Sequence, residues 1–126
     1  MSNAMLIYLG DAAALFSLGL GLLGLFMPAR ALRLVGLQQV PGLAHSISEV
    51  RATYGGVFVG ASLYPLVTGA PQAFLTLACC WLFAGLARLA SVVVDRAATR
   101  FNFVSIAFEL GIGVLLALPY RAAFTG

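Results

Sequence analysis

Charged residues stand where this chain is otherwise apolar. Arg88 and Glu109 both lie deep inside long apolar runs, and Arg51 lies about one helical turn inside another. At a rise of 1.5 Å per residue, Glu109 is about 10–12 Å from the start of its run, and Arg88 is about 10 Å from the end of its own. A charge at the centre of a membrane helix costs at least about 2.5–3.5 kcal/mol, so it persists where it is paired or faces a wet interior. Offsets of three and four put Asn102, Ser105 and Glu109 on one helix face. The same rule groups Trp81, Arg88, Ser91 and Asp95, and sets Tyr54 and Gly55 beside Arg51. The spacing predicts an Arg88–Glu109 ion pair with Arg51 and Tyr54 close by. Ser91 and Ser105 complete the candidate ligand-binding set.

Three kinds of chemistry fit such a cluster. Two arginines against one central carboxylate leave a positive surplus, suited to an anionic headgroup or a carboxylate. Glu109 then orients Arg88, and Asp95 cancels the surplus if it turns inward. A protonatable glutamate beside an arginine instead suits proton relay or gating of a small solute, which would need an oligomer because four short helices make a thin wall. Third, the pair fixes helix register and nothing else.

Catalysis has less to work with. Ser17, Ser62, Ser91 and Ser105 have no histidine near them in any apolar run, so a hydrolase triad lacks its base. His45 stands alone in a loop, with no second ligand at metal spacing. Gly19-Leu20-Gly21-Leu22-Leu23-Gly24 spells G-x-G-x-x-G, but a dinucleotide fingerprint follows a strand and opens a helix. Here it lies within one apolar run, where glycines let helices approach closely. Ala52, Gly56 and Gly60 form a second small-residue stripe, and Ala107 with Gly111 a third. Adjacent Cys79 and Cys80 point about 100° apart on a helix and read as buried small apolar residues, not as a disulfide or metal pair. No cofactor motif is visible, and the balance leans against an enzyme.

The elements that must hold these residues follow from composition. The chain has 126 residues, 62% hydrophobic and 9% charged, with mean hydropathy +1.03. A soluble domain is typically about 45–50% apolar and about 25% charged. This composition excludes an ordinary cytosolic enzyme, a disordered tail and a nucleic-acid reader. It points to a membrane protein whose partners are lipids, an amphiphilic or anionic small ligand, and a second copy of the chain. Residues 1–4 read as an expression-tag remnant, and 5–126 as one membrane domain.

A bilayer core needs roughly 20 apolar residues per helix. Spans are expected at about 6–27, 48–67, 71–94 and 102–118, giving an all-α four-span bundle. Pro28 opens a short interfacial helix between spans one and two, and Pro41-Gly42 ends it. Ser46 and Glu49 match a capping box opening the second span. All seven basic residues are arginine, against four acidic residues. Arg30 and Arg33 lie in one loop, Arg96 and Arg100 in another, and only Arg121 on the opposite side. The positive-inside rule then puts both loops in the cytoplasm and both termini outside an inner membrane. Tyr8, Tyr64 and Tyr120 fall near the outer boundary, as an aromatic belt would.

The charged segments also carry a resemblance. Ser48-Glu49-Val50-Arg51-Ala52-Thr53-Tyr54-Gly55-Gly56 resembles the E-x-R-A-x-Y-G-G signature of a bacterial membrane family catalogued as domain of unknown function 4345. Gly85-Leu86-Ala87-Arg88-Leu89-Ala90-Ser91, followed by Asp95, resembles its G-x-x-R-x-x-S…D segment, and Glu109 matches the acidic residue of its last span. The likeness covers nearly the whole chain from Met5. After the aspartate the family pattern has a small or turn-like residue, where this chain has Arg96. The resemblance implies a four-helix integral membrane protein and supplies no reaction. A broader likeness to DoxX-like four-span proteins concerns architecture alone.

Overall fold

The fold is all α. A computed structural model of the chain describes residues 1–125, and no strand occurs among them. The helices are α1 (Asn3–Phe26), α2 (Pro28–Leu34), α3 (His45–Val50), α4 (Phe58–Thr68), α5 (Pro71–Val94) and α6 (Arg100–Ala117). A π-helical segment (Arg51–Val57) joins α3 to α4, and a 3-10 helix (Leu118–Phe124) continues α6. Three helical stretches, Asn3–Phe26, Pro71–Val94 and Arg100–Phe124, are long and apolar enough to cross a membrane. Their outer faces suit hydrocarbon: Phe83 is 69% exposed and Val94 79%. In lipid every backbone polar group must be satisfied within the chain, which helices do by construction. The chain is a membrane protein. The second expected span, 48–67, is covered without a break by α3, the π segment and α4.

The ends of these helices follow local chemistry. Pro28 occupies the first turn of α2, where its missing N–H costs nothing. Gly36 closes α2 with φ +74°. The Leu37 N–H reaches the Leu32 carbonyl and the Gly36 N–H that of Arg33, the paired bonds of a Schellman motif. Gly69, φ +64°, makes the tight turn into α5, whose first turn holds Pro71. Thr99 caps α6 by accepting the Asn102 N–H at 3.2 Å.

Two expectations are corrected. Ser46 and Glu49 do not form a capping box. The chain already turns at Gly42, φ +76°, and Ala44 is the residue preceding the helix, so Ser46 falls inside the first turn. Its hydroxyl donates back to the Leu43 carbonyl at 2.8 Å, and Glu49 is exposed. The cysteines are not both buried: Cys79 is half-buried and Cys80 exposed.

The chain divides into two compact units, Met1–Ala13 with the chain from Gly69 on, and Ala14–Thr68. In the first, α5 and α6 form an antiparallel hairpin. From Arg88 through Gly85 to Leu82 on α5, the partners on α6 run from Glu109 through Leu110 to Gly113. The buried stripe of α5 is Phe74, Ala78, Trp81 and Gly85; that of α6 is Ile106, Glu109, Gly113 and Leu116. Tyr120 stacks on Phe74 with ring centroids 4.6 Å apart. In the second unit the core includes Ser17, Leu32, Val50, Ser62 and Pro65. The Ser62 hydroxyl donates to that of Ser17 at 2.9 Å, joining α1 to α4 by an interhelical hydrogen bond of the kind small polar residues make in membranes.

Candidate functional site

The expected ion pair is formed. Arg88 sits two turns before the end of α5, and Glu109 halfway along α6, within that helix's apolar buried stripe. The Arg88 Nε donates to both Glu109 carboxylate oxygens, at 3.1 and 3.0 Å, and Nη2 donates to Oε1 at 2.8 Å. Such a fork-on-carboxylate contact fixes orientation as well as distance. Nη1 donates to Asn102 Oδ1 at 3.1 Å. Asn102 in turn donates through Nδ2 to the Ala97 carbonyl at 2.8 Å. One amide thus ties the α5–α6 loop to the guanidinium. The Phe101 ring lies 6.0 Å from the Arg88 Cζ, at the outer limit of a cation–π contact.

Glycine lets the hairpin close around this cluster. A Cβ on Gly85 would stand 2.8 Å from Leu110 and 3.4 Å from the Glu109 Cβ. A Cβ on Gly113 would stand 2.6 Å from the Leu82 side chain and 3.1 Å from its backbone nitrogen. The cluster is not sealed: the Arg88 side chain is 30% exposed, against 11% for Glu109. It is formally neutral, and among the described residues no buried side-chain nitrogen or oxygen lacks a hydrogen-bond partner.

Arg51 and Tyr54 belong to the Ala14–Thr68 unit and to different work there. Arg51 opens the π segment, and its Nη1 donates to the Leu25 carbonyl, one of the unsatisfied carbonyls at the C-terminus of α1. A cation is favoured at that end of a helix. Beside it the two backbones all but touch. A Cβ on Gly55 would stand 2.7 Å from the Leu25 Cα, one on Gly21 2.8 Å from the Val59 nitrogen, and one on Gly24 would overlap the Tyr54 carbonyl. The Tyr54 side chain is exposed. The R-A-x-Y-G-G stretch is therefore the place where a π turn and two glycine contacts seat this helix on the end of α1. Gly21 and Gly24 serve that crossing, while Gly19 meets nothing. Gly60 and Gly111 likewise have open space, so the second and third small-residue stripes face away from the chain.

The remaining candidates separate. The Ser91 hydroxyl donates to Asp95 Oδ2 at 2.6 Å, a local contact at the C-terminal end of α5 that leaves both outside the Arg88 cluster. Ser105 is half-buried and makes no hydrogen bond to Arg88, Glu109 or Asn102. Asn102 is the member of the Arg88 cluster that the candidate set lacked. Its shared face with Glu109 was the available signal; its second bond, to Ala97, depends on the loop path.

No curated protein and no solved structure matches the chain. A family profile, described as domain of unknown function (DUF4345), matches residues 6–119. That match takes in the π segment with its arginine and paired glycines, the Arg88 segment and Glu109, and the chain belongs to the DUF4345 family.

Proposed function

We propose that this is a four-span, non-enzymatic protein of a bacterial inner membrane, in which Arg88, Glu109 and Asn102 pin the α5–α6 hairpin in register. The observation that carries the reading is the completeness of the cluster: a two-pronged arginine–carboxylate pair, closed by an asparagine that also anchors the loop. The continuous helical run from His45 to Thr68 supports the second of the four spans. The arginine pairs of the two loops support cytoplasmic loops and outer termini.

The experiment is a pair of substitutions. Arg88→Leu alone leaves Glu109 as an unpaired buried carboxylate, and Glu109→Leu alone leaves the guanidinium; each is expected to cost on the order of 3 kcal/mol. Arg88→Leu with Glu109→Leu together restores an apolar seam and is expected to melt within about 1 kcal/mol of the parent in the same detergent. A double variant that melts as low as the singles would overturn the register role.

A second reading, binding of an amphiphile or small anion, is favoured by the 30% exposure of the Arg88 side chain. Under it Glu109 orients the guanidinium, and the double variant folds yet loses a bound lipid or carboxylate. Calorimetric titration of a long-chain carboxylate into both proteins separates the two readings.

A further inference from the structure

The positive surplus expected beside Glu109 lies instead around Arg51. An open groove of about 470 Å³ in the Ala14–Thr68 unit is lined by Met27, Pro28, Arg30, Arg33, Gln39 and Arg51, with Ala29 and Ile47 completing its wall. Three arginines line it and no carboxylate does. Arg30 and Arg33 are three residues apart on α2 and so share a helix face. Among the described residues neither has an ion pair or a side-chain hydrogen bond. The Arg51 guanidinium is held in place by the Leu25 carbonyl. Gln39 adds an amide that can donate or accept. The rest of the lining, Met27, Pro28, Ala29 and Ile47, is apolar.

The groove's place in the chain identifies its occupant. Met27 follows the last residue of α1, a stretch apolar enough to span a membrane. The groove therefore opens where hydrocarbon gives way to headgroups. Guanidinium groups match phosphate oxygens in charge and in two-pronged geometry. A mixed wall, part arginine and part aliphatic, suits a phosphate with a glycerol and acyl chain attached better than a bare ion. We infer that this groove is a binding site for the phosphate of an anionic phospholipid headgroup, gripped by Arg30, Arg33 and Arg51. The site is separate from the Arg88 cluster and stands whether that cluster binds anything or not.

The test is native mass spectrometry of the full chain in detergent, with phosphatidylglycerol and phosphatidylcholine as probes. The parent is expected to retain phosphatidylglycerol in preference to phosphatidylcholine. Arg30→Gln with Arg33→Gln should weaken phosphatidylglycerol binding by about tenfold to thirtyfold, each arginine near an anionic surface contributing a few-fold. Arg96→Gln with Arg100→Gln removes the same charge from the other loop and should change it less than about twofold. Equal losses in the two double variants, or no loss in the first, would overturn the site. Millimolar inorganic phosphate should leave the bound lipid in place; displacement by it, without preference among lipids, would show a free-phosphate site instead. Melting temperatures of both double variants within about 2 °C of the parent confirm that losses reflect contacts and not unfolding.

Discussion

At the scale of single residues, Arg96 holds the least comfortable backbone. It is the only non-glycine residue with positive φ among the described residues, at 53°. An L side chain in that region meets its own carbonyl and costs roughly 1–2 kcal/mol. The strain terminates α5, and the turn lets the Ala97 N–H reach back to the Ser91 carbonyl at 3.4 Å. The departure from a small or turn-like residue after Asp95 thus falls on the position where backbone geometry asks for glycine. Arg96→Gly is expected to raise stability by about 0.5–1 kcal/mol, the relief being partly offset by a more flexible unfolded chain. Thermal melting in a fixed detergent checks this; a lower melting temperature would mean that the Arg96 side chain contributes more than its backbone costs. The Arg88–Glu109 pair was legible in the sequence because charge in an apolar run must find a partner and helical offsets fix its face. The partner of Arg51 was not legible. Any carbonyl at a helix end can accept a guanidinium, and no side chain marks which one does.

At the scale of elements, glycines divide by what stands opposite them. A Cβ on Gly24 would overlap the Tyr54 backbone, whereas Gly60 faces open space. Gly24→Ala must push α1 off the π segment and is expected to cost about 1–3 kcal/mol. Gly60→Ala lies inside α4 and adds helix propensity, so it should be neutral or stabilising by up to about 1 kcal/mol. Chemical denaturation of the two variants side by side provides the comparison, and equal losses would contradict the crossing described. The bounds of α5 could be read directly: Pro71 opens it, a mainly apolar run fills it around Arg88, and Asp95 follows it. The start of α3 could not, because the turn at Gly42 initiates the helix before Ser46 is reached. The π segment was hidden for a related reason. Its residues read as an ordinary small-residue stripe, and only contact with the end of α1 distinguishes a wide turn from a regular one.

At the scale of the whole molecule, hydropathy and the positive-inside rule carry most of what sequence could say, and membrane crossing is their shared consequence. Topology can be tested with single cysteines at Gln38, Ala70 and Ala98, with Cys79 and Cys80 replaced by alanine. Four spans require an impermeant thiol reagent to reach positions 38 and 98 from one face and position 70 from the other, and the orientation proposed above makes the first of these faces cytoplasmic. Labelling of 38 and 70 from the same face would mean that the run from His45 to Thr68 does not cross.

The wide turn at Arg51–Val57 also bears on chain length. A π turn accommodates a residue that a regular helix would not, and in an α-helix each residue advances the face by about 100°. Loss of one residue from that stretch would close the wide turn into a regular helix whose two halves keep their phase, whereas loss of one between Phe58 and Ser62 would turn the later half by about 100°. In the second case Ser62 would rotate away from Ser17, and the buried Pro65 would swing with it. The wide turn is thus a place where a residue can leave this helix without turning the buried serine from its partner.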